Sequence, residues 1–174
     1  MNKPVIFLDR DGTINDDPGY LSQPKDFILL PKVIEALQQL QKLGFDLIII
    51  TNQSGIGRGF FNQENLNQVH LFMLDIFTQH NITIKNIYVC PHSPQENCIC
   101  RKPKTGLIDK ACAENKIDMQ NSWMVGDKIA DIELGINCGL KTAQIIGKYP
   151  LHQKANYKVK NLLNFVQIIT IDKI

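Results

Sequence analysis

The sequence predicts an α/β protein, a parallel sheet covered by helices on both faces and so three layers deep. Three observations point there. Strand-sized apolar runs alternate with segments of helical spacing along the chain. The runs stop abruptly at polar, chemistry-bearing residues, as strands do at the ligand-binding edge of an open sheet. The length, 174 residues, suits one domain, which at this size buries on the order of 70% of its unfolded surface without disulfides.

The elements follow in order. Val5–Leu8 is a first strand, ending at Asp9-Arg10-Asp11-Gly12. Val33, Ile34, Leu37, Leu40 and Leu43 recur at helical spacing, and Gly44 is a natural stop. Leu47–Ile50 is a second buried strand, followed by Thr51-Asn52-Gln53; Gly55, Gly57 and Gly59 then predict a flexible loop. Leu66, Val69, Leu71, Phe72, Met73, Ile76 and Phe77 mark a long helix. Ile87–Val89 is a third strand ending at Cys90, and residues 105–115 read as a helix. Trp123–Val125 is a fourth strand, ending at Gly126-Asp127; Ile129–Cys138 is a helix and Thr142–Ile146 a fifth strand. Asn161–Ile171 fits helix or strand. Right-handed crossovers make successive strands point the same way. Asp9, Thr51, Cys90 and Asp127 are therefore expected along one edge.

Composition excludes several classes. A hydrophobic content of 44% argues against disorder. The longest apolar runs, such as Leu47–Ile50, fall far short of the roughly 18 residues of a membrane span. The N-terminal residues reach Asp9 without the longer apolar region of a signal peptide, so a cytoplasmic location is expected. Nineteen basic and 17 acidic residues leave a net charge of +2, no footprint for nucleic acid or a membrane surface. A small molecule is the expected partner.

Candidate chemistry lies at the strand ends. Asp9 and Asp11, two apart on an extended segment, point the same way and repel unless a cation intervenes. Mg²⁺ is commonly held by one or two carboxylates plus phosphate oxygens, and an aspartate can itself attack phosphorus. The same residues also suit a solvated turn. Thr51-Asn52-Gln53-Ser54-Gly55 offers hydroxyls, amides and backbone N–H groups to phosphate, or ordinary local caps. Arg101-Lys102-Pro103-Lys104 could neutralise a transferring phosphoryl group and grip a second phosphate, or be a solvated charged face. Asp127 could complete a Mg²⁺ shell or cap the next helix, and Asp131, four residues on, could reach back to orient it. Cys90, His92, Cys98 and Cys100 match a closed structural Zn²⁺ site, which would aim the adjacent Arg101 and Lys102. His70, His80 and His152 have no comparable partners and read as surface or helix-end residues.

These segments occur in the order of the four haloacid-dehalogenase motifs, and the chain resembles that superfamily over nearly its whole length. Thr51–Gly59, with Cys90-Pro91-His92 and Cys98-Ile99-Cys100-Arg101-Lys102-Pro103, narrows the resemblance to the D-glycero-D-manno-heptose-1,7-bisphosphate 7-phosphatases. The resemblance implies a Rossmann-like domain over 1–174 with a zinc loop at 90–100 and no large cap; the segment from about 150 matches no motif. It implies Asp9 as nucleophile, Asp11 as general acid and base, and Thr51 and Lys102 as stabilisers of the phosphoryl group. Mg²⁺ would sit on Asp9, Asp11 (through its backbone carbonyl) and Asp127, and Zn²⁺ on Cys90, His92, Cys98 and Cys100. Substrate would be bound by a loop of Asp17, Pro18, Gly19 and Tyr20, by Asn52, Gln53 and Ser54, and by Arg101 and Lys128. The implied activity removes the C7 phosphate in heptose nucleotide and lipopolysaccharide core supply, by a monomer. Histidinol-phosphate phosphatases share the acid motif, zinc loop and Arg-Lys-Pro, but tend to carry Asp where this chain has Ser54 and lack Gly57-Arg58-Gly59. A non-catalytic zinc-stabilised interaction module is the alternative outside enzymes. A phosphotransferase or mutase would need a cap that is not evident.

Overall fold

The computed structural model describes residues 2–171; of the 1–174 span, Met1 and residues 172–174 lie outside the described residues. Strands β1 (Val5–Leu8), β2 (Asp46–Asn52), β3 (Ile84–Cys90), β4 (Trp123–Gly126), β5 (Lys141–Ile145) and β6 (Tyr157–Val159) form a parallel sheet in the order β3-β2-β1-β4-β5-β6. The helices are α1 (Val33–Lys42), α2 (Ser54–Gly57), α3 (Gln63–Gln79), α4 (Gly106–Glu114), α5 (Ile129–Asn137) and α6 (Leu162–Ile171). The expected three-layer α/β architecture is what forms, with no cap domain inserted among the described residues.

Side-chain alternation along the strands divides the core in two. Ile6 and Leu8 of β1, with Leu47 and Ile49 of β2, face α1, α3 and α6. Val5 and Phe7, with Ile48 and Ile50, face the other way, onto Leu107, Ile108 and Ala111 of α4 and Leu134 of α5. Both faces of the central strands are thus covered, which is why their sequences are continuous apolar runs. In α1 the buried residues Val33, Ala36, Leu37 and Leu40 follow one helical stripe.

The strand order places the site. From β1 the chain winds outward through β2 to β3, then returns to pair β4 with the other side of β1. The winding reverses between β1 and β4, and ligands of open α/β sheets bind in the crevice at such a switch point. Asp9 directly follows β1 and Asp127 directly follows β4.

Several sequence expectations need adjustment. Thr51 lies within β2, which continues to Asn52, and Cys90 is the last residue of a longer β3. Residues expected to form a flexible loop hold a single helical turn, α2, because Gly55 and Gly57 fit close contacts: a Cβ on Gly55 would overlap the Phe61 ring. The 161–171 segment resolves as helix α6, packed on α1. Strand β6 was not evident, since three residues of mixed burial give almost no periodic signal.

Leu37→Ala is expected to lower unfolding free energy by about 2–5 kcal/mol, read by urea denaturation, because Leu37 is fully buried. Leu71→Ala, at an exposed position of the same face-covering layer, is expected to change it by no more than about 0.5 kcal/mol.

Candidate active site

At the switch point, carboxylates of Asp9, Asp127 and Asp131, all buried, come within 4.8 Å of one another. Lys102 reaches them from beyond β3. Its ammonium donates to Asp9 Oδ1 at 2.7 Å and to the Ile50 carbonyl at 2.9 Å, and pairs with Asp131 Oδ1 at 2.6 Å. Two hydrogen bonds and a close ion pair surround the ammonium, which is what makes a buried lysine tolerable. Burial alone would lower the Lys102 pKa, but the Asp131 and Asp9 charges more than reverse it and hold the ammonium protonated.

One lysine does not balance three acids. Burial, then the charge of Asp131, pushes Asp9 up to about 6. Burial, then the charge of Asp9, pushes Asp127 up to about 7. Asp127 Oδ1 is buried without a hydrogen-bond partner, and Gly12 clears the space before this carboxylate: a Cβ there would overlap it, and φ is +88°. An unpartnered carboxylate oxygen amid excess negative charge, with hard oxygen donors around it, fits a divalent cation such as Mg²⁺. Gly126 similarly gives way to Asp131, which accepts from the Lys128 backbone N–H at 3.0 Å. Lys128, not Asp127, is the N-cap residue of α5.

Asp11 stands outside this acidic cluster. Its carboxylate accepts five hydrogen bonds, three from Arg10, one from Asn15 and one from Gln53. The Gln53 amide also donates to Thr51 Oγ1 at 2.8 Å, tying β2 to the Asp11 turn. The repulsion expected between Asp9 and Asp11 is thus answered by Arg10 for one and Lys102 for the other. Arg10 is completely buried, and its Nη1 donates to His70 Nε2 at 3.0 Å. The expectation that His70 is a surface residue is overturned. It lies on the buried stripe of α3 with Leu66, Val69, Met73 and Phe77, and that spacing was the available signal. Since guanidinium only donates, His70 Nε2 must be unprotonated.

The segment carrying Lys102 is fixed twice. Asn52 Nδ2 donates to the Lys102 carbonyl and Asn52 Oδ1 accepts from its N–H. Upstream, Cys90, His92, Cys98 and Cys100 converge, with ligand-atom separations of 3.7, 3.5, 3.2 and 3.5 Å around the ring. A Zn²⁺ tetrahedron with thiolate bonds of about 2.3 Å has edges near 3.8 Å, so the four groups fit that ion. Arg101 is half-buried and donates to the His92 carbonyl at 3.4 Å. Gly57 N–H donates to the Pro91 carbonyl, and a Cβ on Gly57 would crowd Ser93 and Glu96, so α2 seats directly on the loop of the Cys/His cluster.

Of the remaining expected substrate residues, Asp17 is half-buried and pairs with Lys128 at 3.1 Å, while Pro18, Gly19 and Tyr20 are exposed. Ser54 opens α2, two residues after the end of β2. Phe60, after the glycine run, packs edge to face on Tyr20 with ring centroids 4.6 Å apart. The role of Gln144 gave no sequence signal: fully buried, it donates to the carbonyls of Asp127 and Pro150 and accepts from the His152 N–H.

Comparison with known proteins agrees with this geometry. The family described as polynucleotide kinase 3 phosphatase matches residues 4–161. D-glycero-beta-D-manno-heptose-1,7-bisphosphate 7-phosphatase of Helicobacter pylori is 41% identical over 148 residues, 84% of this chain and 86% of that protein. The histidine biosynthesis bifunctional protein HisB of Legionella pneumophila is 44% identical over 140 residues, 79% of this chain but only 40% of that protein. The crystal structure of D,D-heptose 1.7-bisphosphate phosphatase from B. bronchiseptica, complexed with magnesium and phosphate, superposes with a TM-score of 0.87 at 26% identity, covering 97% of this chain and 99% of that one.

Burial, then the Arg10 charge, lowers the His70 pKa from 6.5 to about 4. Between those values the unfolded chain binds the extra proton, so the stability due to neutral His70 is full above about pH 6.5 and fades toward pH 4. The expected loss over that window is roughly 2–4 kcal/mol. His70→Gln, which keeps an acceptor for Arg10, is expected to flatten this component when denaturation midpoints are compared across pH.

Proposed function

Because the chain belongs to the polynucleotide kinase 3 phosphatase family, within the haloacid-dehalogenase phosphatases, we propose that it removes the C7 phosphate of D-glycero-D-manno-heptose 1,7-bisphosphate with Mg²⁺ as cofactor. The observation that carries the reading is the buried cluster of Asp9, Asp127 and Asp131 around Lys102 at the switch point. The close heptose-phosphatase relatives, matched across most of their length, support the substrate. The HisB relative supports the second reading, histidinol phosphate. Ser54 and the Gly57-Arg58-Gly59 run favour the heptose ester.

In this mechanism an Asp9 oxygen attacks the C7 phosphorus in line. The bond from phosphorus to the sugar oxygen breaks, and Asp11 gives its proton to that oxygen. Asp11 then takes a proton from water, whose oxygen attacks the aspartyl-phosphate, releasing inorganic phosphate and restoring the Asp9 carboxylate. Asp11 accepts five hydrogen bonds, so for these transfers it must exchange part of the Arg10 fork for the sugar oxygen and then for water. Lys102 and the Thr51 hydroxyl steady the phosphoryl oxygens, which is most of what such a transfer needs. Asp9, the Asp11 carbonyl and Asp127 would hold Mg²⁺, which when bound would neutralise the charge shared by carboxylates and phosphate. Arg101, Lys128, Asn52, Gln53, Ser54 and the 17–20 loop bind the sugar phosphate. Zn²⁺ on Cys90, His92, Cys98 and Cys100 has a structural role, since four protein ligands leave no open position. Thiolate ligation suits a reducing compartment. No helix among the described residues is long and apolar enough to cross a membrane. We place the reaction in the cytoplasm, carried by a monomer and feeding heptose nucleotide and lipopolysaccharide core supply.

The deciding measurement is phosphate release with Mg²⁺ from both anomers of the heptose bisphosphate and from histidinol phosphate. The heptose ester is expected to be hydrolysed with the higher kcat/KM, and faster turnover of histidinol phosphate reverses the assignment. Asp9→Asn is expected to remove turnover with the fold intact by circular dichroism; substantial residual activity reassigns the nucleophile. Cys98→Ser is expected to lower bound zinc by elemental analysis, and full retention contradicts the four-ligand site.

A further inference from the structure

Residues 146–152, between β5 and β6, close over the site. Gln144 anchors this strap from below, its amide spanning the Asp127 carbonyl and the strap backbone at Pro150 and His152. From above, the strap grips Asp17. The Tyr149 hydroxyl donates to Asp17 Oδ2 at 3.1 Å. Lys148 Nζ donates to the Asp17 carbonyl at 2.9 Å and lies 3.5 Å from Oδ2. Lys128, next to Asp127 in sequence, donates to the same oxygen at 3.1 Å. The two ammonium groups lie 5.0 and 5.3 Å from the centroid of the Tyr149 ring, a distance at which the ring face attracts both.

Asp17 is therefore held by side chains from two separate segments, and its carboxylate is only 7% exposed. The Gly19 N–H donates to its other oxygen at 2.9 Å, so the position of Asp17 dictates the course of the 17–20 turn. A cavity of about 410 Å³ lies between strap and acids, with Gly12, Asp17, Asp127 and Lys148 among its walls.

We propose that Lys148 and Tyr149 are positioning residues that set the substrate loop through Asp17, and so determine selectivity for the sugar part of the substrate. The inference rests on the proposed sugar-phosphatase reading. The two residues touch no reacting atom in this account. Their removal loosens the loop, leaving Lys128 as the side-chain partner of Asp17, and does not touch the partners of Asp9, Asp11 and Lys102 or the Gln144 bond to the Asp127 carbonyl.

The test uses the full chain with Mg²⁺ and Zn²⁺, comparing Tyr149→Phe, Lys148→Met and the double variant. Each is assayed with the heptose bisphosphate and with p-nitrophenyl phosphate, a small ester with no sugar to orient. For the double variant, kcat/KM on the sugar bisphosphate is expected to fall by about tenfold or more, as loss of hydrogen bonds to a charged group predicts. The fall is expected chiefly in KM, with p-nitrophenyl phosphate hydrolysis within about twofold of wild type. Lys148→Arg, which keeps the cation, is expected to recover most of the loss. An equal fall on both esters, or no fall on the sugar ester, overturns the proposal. If wild type prefers histidinol phosphate, the heptose reading fails, and the same ratio taken with histidinol phosphate decides the role of the strap.

Discussion

Burial of like charge at one sheet edge is the constraint on which the rest depends. At an effective dielectric near 20, two carboxylates 4.8 Å apart repel by roughly 3–4 kcal/mol, and three buried acids meet at the switch point. Lys102 answers Asp9 and Asp131 directly, but Asp127 keeps an oxygen with no hydrogen-bond partner. The excess of negative charge left there is what a second, divalent cation would neutralise. Gly12 and Gly126 belong to this constraint, since each leaves the room that a carboxylate occupies.

Everything around the cluster bears on delivering or aiming charge. Lys102 arrives from a loop outside β3, and a lysine side chain is too flexible to be placed by length alone. Its backbone is pinned by the paired hydrogen bonds of Asn52, and its loop by the convergence of three cysteines and a histidine. Arg10 plays a parallel part on the other side. Completely buried, it orients Asp11 with three hydrogen bonds and is itself accepted by His70 of α3. The helix layer thus reaches the turn after β1 through polar contacts as well as through the apolar core, which couples the integrity of α3 to the geometry of Asp11.

Much of the fold was legible because its signals are local. Continuous apolar runs at β1, β2 and β4 are the mark of strands covered on both faces, and the helical spacing of Val33, Leu37 and Leu40, all buried, is the mark of a helix packed on one. The weaker elements lacked such signals. Strand β6 is three residues of mixed burial, and α2 is one turn whose glycines are selected by contacts with Phe61 and the zinc loop, not by helix propensity. His70 stands at the stripe spacing of α3, a local sign of burial, but its contact with Arg10, 60 positions away, has no local sign.

By itself the sequence determined the alternation of strands and helices, and with it the edge where Asp9 and Asp127 emerge, because side-chain period and crossover handedness are local rules. The cysteine and histidine spacing likewise pointed to a four-ligand site within a single loop. Tertiary structure alone decided the partners: Lys102 between Asp9 and Asp131, Arg10 between Asp11 and His70, and the 146–152 strap on Asp17. Such pairings depend on burial and on distances between segments far apart in the chain. Only packing sets those quantities, and no periodicity encodes them.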